Sequence, residues 1–168
     1  MARLSGVTMM VCVCAVTFVA VLAISAYWDP TIRVLHVFEA VPYLLAAAWC
    51  LRETKGKAGY LLAIAGGGLW LWLAGTRTTF VREGFVQAGI LLHTGRMPRP
   101  DILIAAPAAL ATGGLVLFAG LGYARLRNKR WADLGWLAAA MVGMAAYFIA
   151  IFAAFTPRFL GIFPFLGR

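Results

Sequence analysis

The chain has 168 residues, 63% of them hydrophobic and 12% charged, with a formal net charge of +9. An average soluble domain is about half apolar and a quarter charged, and a disordered chain needs low hydrophobicity. With a mean hydropathy of +0.88, both classes are excluded, and one integral membrane domain over residues 1–168 is expected.

A spanning helix needs about 20 apolar residues. The first run, Val7 to Tyr27, contains a passable cleavage string, Ala23-Ile24-Ser25-Ala26. Its length exceeds a leader's apolar core and only Arg3 precedes it as a cation, so a retained helix is expected. Four more spans follow at Val34 to Leu51, Ala58 to Gly75, Ile102 to Tyr123 and Leu134 to Phe155. The predicted fold is therefore an all-α membrane protein of five transmembrane helices, with one interfacial amphipathic helix described below.

Arg52, Lys55 and Lys57 follow the second span, and Arg125, Arg127, Lys129 and Arg130 follow the fourth. The positive-inside rule places these loops and the N-terminus in the cytoplasm and the C-terminus outside, with a bacterial inner membrane as the expected location. Tyr27, Trp28, Trp70 and Trp72 gather near one face, and Trp49, Tyr123 and Trp131 near the other. The basic residues lie between apolar segments, where they anchor helix ends against anionic headgroups. Membrane lipid and other membrane subunits are the expected partners, and nucleic acid is not. Cys12, Cys14 and Cys50 read as small buried hydrophobes without a disulfide framework.

The 26 residues from Thr76 to Asp101 are too long for an unstructured connection. On a helical wheel, Phe80, Val81, Phe85, Ala88, Leu91 and Leu92 share one arc and Arg82, Glu83, Gln87 and His93 the other. This pattern predicts an interfacial helix over residues 79–93, acting as a bundle closure or as a lid over an outward-facing pocket. Beyond the fifth span, Arg158 to Arg168 is broken by Gly161, Pro164 and Gly167, which predicts an interfacial aromatic tail. Gly66-Gly67-Gly68, Gly113-Gly114, Gly120, Gly122, Ala139 and Gly143 predict close helix packing.

The second span carries the chemistry. His36, Glu39, Tyr43, Ala46, Ala47 and Cys50 recur at helical spacing and form one stripe. Leu35, Val37, Phe38, Leu44, Leu45 and Trp49 are left to face lipid, and Pro42 frees the Phe38 carbonyl. A charge facing hydrocarbon costs at least about 2.5 kcal/mol, so the stripe is expected to look inward. Glu39 is expected to pair with His36, or with Arg33, Arg77 or Arg82 at the mouth. Glu39, Tyr43, Arg77 and Arg82 are thus the predicted pocket residues. His36 and His93 are the only histidines. Together they suit axial ligation of a b-type haem, and with Glu39 a transition metal. No HExxH, CxxC or phosphate loop occurs, no serine has a base beside it in sequence, and no catalytic residue is expected.

The string Trp28-Asp29-Pro30-Thr31-Ile32-Arg33-Val34-Leu35-His36 resembles the opening of a haem-bearing helix in bacterial cytochromes b561 and related cytochrome-b anchors. The resemblance implies a helical bundle passing electrons between haem and quinone, with His36 an axial ligand and Arg33 a propionate partner. It covers nine residues, and two histidines limit the chain to one bis-imidazole haem. The leading expectation is a non-catalytic, redox-linked subunit or accessory of a membrane complex. A small haem or metal protein is the alternative, and a carrier or channel is the third reading.

Overall fold

The computed structural model describes residues 5–52 and 54–163, so Arg3 and the end of the tail (Pro164, Phe165, Gly167 and Arg168) lie outside the described residues. Among the described residues every element is helical. Five helices are long and apolar enough to cross a membrane: Gly6–Trp28, Pro30–Cys50, Gly56–Arg77, Pro100–Ala124 and Ala132–Phe155. Each overlies one expected span.

α1 (Gly6–Trp28) starts on Ser5, whose side-chain oxygen accepts the Thr8 N–H at 3.1 Å. It stops before Pro30, because the residue preceding proline is pushed out of helical geometry; Asp29 sits at φ −121°, ψ 95°. The Asp29 carboxylate accepts the Thr31 hydroxyl at 2.6 Å and the Thr31 N–H at 2.9 Å, which hold its pKa below the ordinary value. A 3-10 turn, Pro30–Ile32, then feeds α2 (Arg33–Cys50).

α2 runs unbroken through Pro42. The Phe38 carbonyl, which has no N–H partner at Pro42, instead accepts the Tyr147 hydroxyl at 2.8 Å. Phe38 also stacks on Phe155 at 5.1 Å. A missing helical hydrogen bond is thereby turned into a tie to another helix. The inward stripe is as expected: Glu39, Tyr43, Ala46, Ala47 and Cys50 are buried, whereas Val37, Phe38, Leu44 and Leu45 are exposed. Leu35, expected to face lipid, is buried at 3% exposure. Apolar composition alone cannot separate a lipid-facing leucine from a core one.

α3 (Gly56–Trp72) continues into a π-helical turn, Leu73–Arg77. After α4 (Phe80–Thr94), a short α5 (Pro100–Leu103) leads into α6 (Ala105–Ala124), and α7 (Ala132–Phe155) follows. α1, α2, α3 and α6 close a ring in which α1 and α3 each touch both α2 and α6, and α7 lies outside it against α3 and α2. Small residues set the spacing. A Cβ at Gly122 would lie 2.5 Å from the Tyr60 ring, so only glycine lets α6 approach α3 there.

The basic end of the bundle is locked by Asp133. Its carboxylate accepts from Lys57 Nζ at 2.9 Å, the Tyr123 hydroxyl at 2.8 Å and the Arg130 N–H at 2.9 Å. Asp133→Asn should lower the thermal midpoint in detergent more than Asp101→Asn does, because Asp101 and Arg99 form an exposed pair. Equal midpoints would show that this lock contributes nothing to stability.

α4 differs in orientation from the expected arc. Its buried position is Gly84, where a Cβ would lie 2.7 Å from Ala105 Cβ. Glu83 and Gln87, expected on the polar face, turn partly inward, and Phe85, Val86 and Leu92 are exposed. In a membrane protein the outer surface meets acyl chains, so an apolar face need not be the packed face. The tail also departs from expectation. Residues Pro157–Ile162 form a 3-10 turn, and Phe163 is buried at 1% exposure against Phe152, 5.9 Å between ring centroids.

Candidate ligand cavity

At the end of the bundle where α1 stops and α2 begins, the helices form an open-mouthed cavity of about 760 Å³. That volume falls within the ordinary range of small-ligand sites. Its apolar wall comes from Phe18, Val21 and Leu22 of α1, Leu35 of α2, Trp70 of α3 and Leu73 just after it, Ala108 of α6, and Phe148 and Phe152 of α7. Phe18 is fully buried and meets Trp70 edge-on at 5.2 Å. Trp70 therefore serves the cavity wall, not the lipid interface where its sequence position put it. The rim is formed by Trp28 and Asp29, by Thr78, Thr79, Phe80 and Glu83 at the start of α4, and by Asp101 and the tail.

Two polar side chains of α2 reach into this apolar wall. Glu39 is 5% exposed, and its Oε2 lies 2.8 Å from His36 Nδ1. His36 Nε2 lies 3.0 Å from Ser25 Oγ, which reaches it from α1. With Glu39 ionised and the imidazole neutral, Nδ1–H donates to the carboxylate, because a carboxylate oxygen only accepts. The Nε2 lone pair then accepts the Ser25 hydroxyl. Ser25, His36 and Glu39 all line the cavity, and the chain of hydrogen bonds provides a path along which a proton can move.

Of the predicted pocket residues, only Glu39 lines the cavity. Tyr43 is buried one turn deeper, its hydroxyl donating to the Gly66 carbonyl at 3.1 Å and its ring against Phe18. Arg77 is exposed and donates to the Ile162 carbonyl at 3.1 Å, and Arg82 is exposed on α4. Arg33 is exposed and reaches back to the Ala26 carbonyl at 3.5 Å. His93 is exposed near the C-terminal end of α4 and does not line the cavity.

The proposed cofactor sets are accordingly not assembled. The cavity receives one imidazole, which does not fit a bis-imidazole haem. Among the described residues, no group of three His, Cys, Asp or Glu side chains converges as a metal site. The orientation of α4 explains this outcome: packing at Gly84 directs Glu83 to the cavity and leaves His93 outside. Ser25 was missed by sequence reasoning because it lies eleven positions before His36 on a different helix. The only sequence signal is a lone serine near the end of an otherwise apolar span.

The charge around the cavity is opposite to that of the chain. Asp29, Glu39, Glu83 and Asp101 line it, four of the six carboxylates in the sequence, and no Lys or Arg is among the described lining residues. Asp101 is held by Arg99 through contacts of 3.1 and 2.8 Å. Arg158 lies close enough to Asp29 to help hold its carboxyl below the usual range, so the charge at these two rim carboxylates is offset; Glu39, buried in the wall, disfavours an anionic head and leaves hydrogen bonding at Ser25 and His36 for an uncharged one.

Comparison with protein-family models, curated proteins and solved structures finds no match. Fold and cavity define the class: a five-span all-α integral membrane protein with a polar relay set in a ligand-sized apolar cavity.

Proposed function

We propose that this protein takes up a small amphiphile with an uncharged head from the membrane and holds it in the cavity beneath the start of α4. The carrying observation is the pairing of the buried Glu39 with the partly buried His36 in the wall of a cavity of about 760 Å³, where polar groups at bilayer depth serve function. The aromatic wall receives the apolar tail, and the Ser25–His36 end receives the head. By the positive-inside rule, the six basic residues of the α2–α3 and α6–α7 loops, with Lys57 at the start of α3, face the cytoplasm, so the cavity opens toward the outside. α4 then acts as a lid through Phe80 and Glu83.

Native mass spectrometry of the protein released from lipid nanodiscs tests this reading. One uncharged amphiphile per chain, retained through detergent exchange and preferred over an anionic lipid, is the expected result. A bare chain mass, or preferential retention of the anionic lipid, would overturn it.

A second reading, a subunit or accessory of a larger membrane assembly, draws on α7, which is 17% buried against 39–56% for the other spans. Co-elution of a second membrane chain after mild solubilisation would support it, and a monomer eluting alone would count against it.

A further inference from the structure

We infer that the cavity is an active site in which Ser25, His36 and Glu39 cleave a carboxylic ester of the bound amphiphile. This rests on the ligand-binding reading above and names the chemistry of the same site. Three observations carry it. The contacts run in the order hydroxyl, imidazole, carboxylate, at 3.0 and 2.8 Å. The imidazole uses Nε2 toward the serine and Nδ1 toward the acid, the arrangement that makes histidine a general base. All three side chains line a cavity of about 760 Å³ whose remaining wall is mostly apolar, which suits a long acyl chain.

The reaction follows from these roles. Ser25 Oγ attacks the ester carbonyl carbon while its proton passes to His36 Nε2. The carbonyl oxygen takes up the displaced electron pair. The tetrahedral adduct then collapses, the carbon–oxygen bond to the alcohol breaks, and the alcohol leaves with the proton from Nε2. Water attacks the acyl-Ser25 ester by the same route, releasing the fatty acid and restoring the serine. Ser25 and His36 are catalytic residues, and Glu39 is a positioning residue that fixes the imidazole tautomer. The buried Glu39 carboxylate disfavours an anionic ester beside it and so favours an uncharged one.

The sequence has two serines, Ser5 and Ser25, so covalent labelling is easily assigned. The purified chain in nanodiscs is treated with a long-alkyl fluorophosphonate, and hydrolysis of a fluorogenic, uncharged long-chain ester is measured in parallel. The expected result is one label per chain in the wild type and in Ser5→Ala, with none in Ser25→Ala. Turnover should vanish in Ser25→Ala and fall by about 10³–10⁴ in kcat in Glu39→Gln, with KM nearly unchanged. A merely structural Glu39 would not give that split between kcat and KM. A wild type that stays unlabelled, or a Ser25→Ala variant labelled as strongly, overturns the catalytic assignment. If an unlabelled wild type still retains the ester in native mass spectra, the binding reading stands and only the chemistry fails. If it retains no ester either, both fail.

Discussion

Replacing Ala108 by phenylalanine is expected to weaken amphiphile binding by a factor of about 10–100 while leaving the bundle assembled. Ala108 lies in the cavity wall on α6, so the added ring can enter free space instead of the packed ring of helices. It would occupy the region the apolar tail needs. Expelling that ring, or binding alongside it, amounts to overpacking, which costs about 1–3 kcal/mol, or a factor of about 10–100 in affinity. Ligand-dependent thermal shift in detergent measures the change, with Leu110→Phe on the exposed side of the same helix as the control. Equal shifts in the two variants would mean that the ligand binds elsewhere.

The second large effect is expected at Gly59, which lies on the opposite end of the bundle from the cavity. A Cβ there would lie 2.5 Å from the Cys50 backbone nitrogen and 2.9 Å from the Ala46 carbonyl oxygen. Backbone atoms cannot rotate away as a flexible side chain can. Gly59→Leu should therefore force α2 and α3 apart, at a cost above the about 1–3 kcal/mol of ordinary overpacking. Because α2 carries His36 and Glu39, the displacement should also misplace the relay. The readout is the yield of monodisperse protein on size exclusion, with Gly68→Leu as the control, since nothing lies within 4 Å of a Cβ at Gly68. Normal yield from Gly59→Leu would show that α2 and α3 do not meet as closely as the fold requires.

What the sequence revealed and what it hid follow one physical division. The five spans were legible because hydrocarbon demands long apolar helices. The inward stripe of α2 was legible because one carboxylate at bilayer depth dictates which face turns to protein. The role of Pro42 was half legible: the loss of the Pro42 N–H that the Phe38 carbonyl would accept is local, but its replacement by the Tyr147 hydroxyl from α7 is tertiary. The same holds for Ser25, whose partner is on another helix.

α4 shows the converse. Its apolar arc pointed to one packing face, yet contact at Gly84 sets another and leaves Leu92 at 84% exposure. In water that orientation would be costly, whereas against lipid it is not. A rule that assigns apolar residues to the core therefore misjudges which face of α4 meets the bundle, and Glu83, not His93, reaches the cavity.

The most direct measurement is the nitrogen NMR spectrum of the protein labelled at histidine and reconstituted in nanodiscs. His36 and His93 are the only two imidazoles, one in the cavity wall and the other exposed on α4. Titration with an uncharged long-chain ester analogue that cannot be hydrolysed should shift the His36 ring nitrogens and leave those of His93 in place. A spectrum in which His36 does not respond, or both histidines respond alike, would contradict a ligand seated against the Ser25–His36–Glu39 relay.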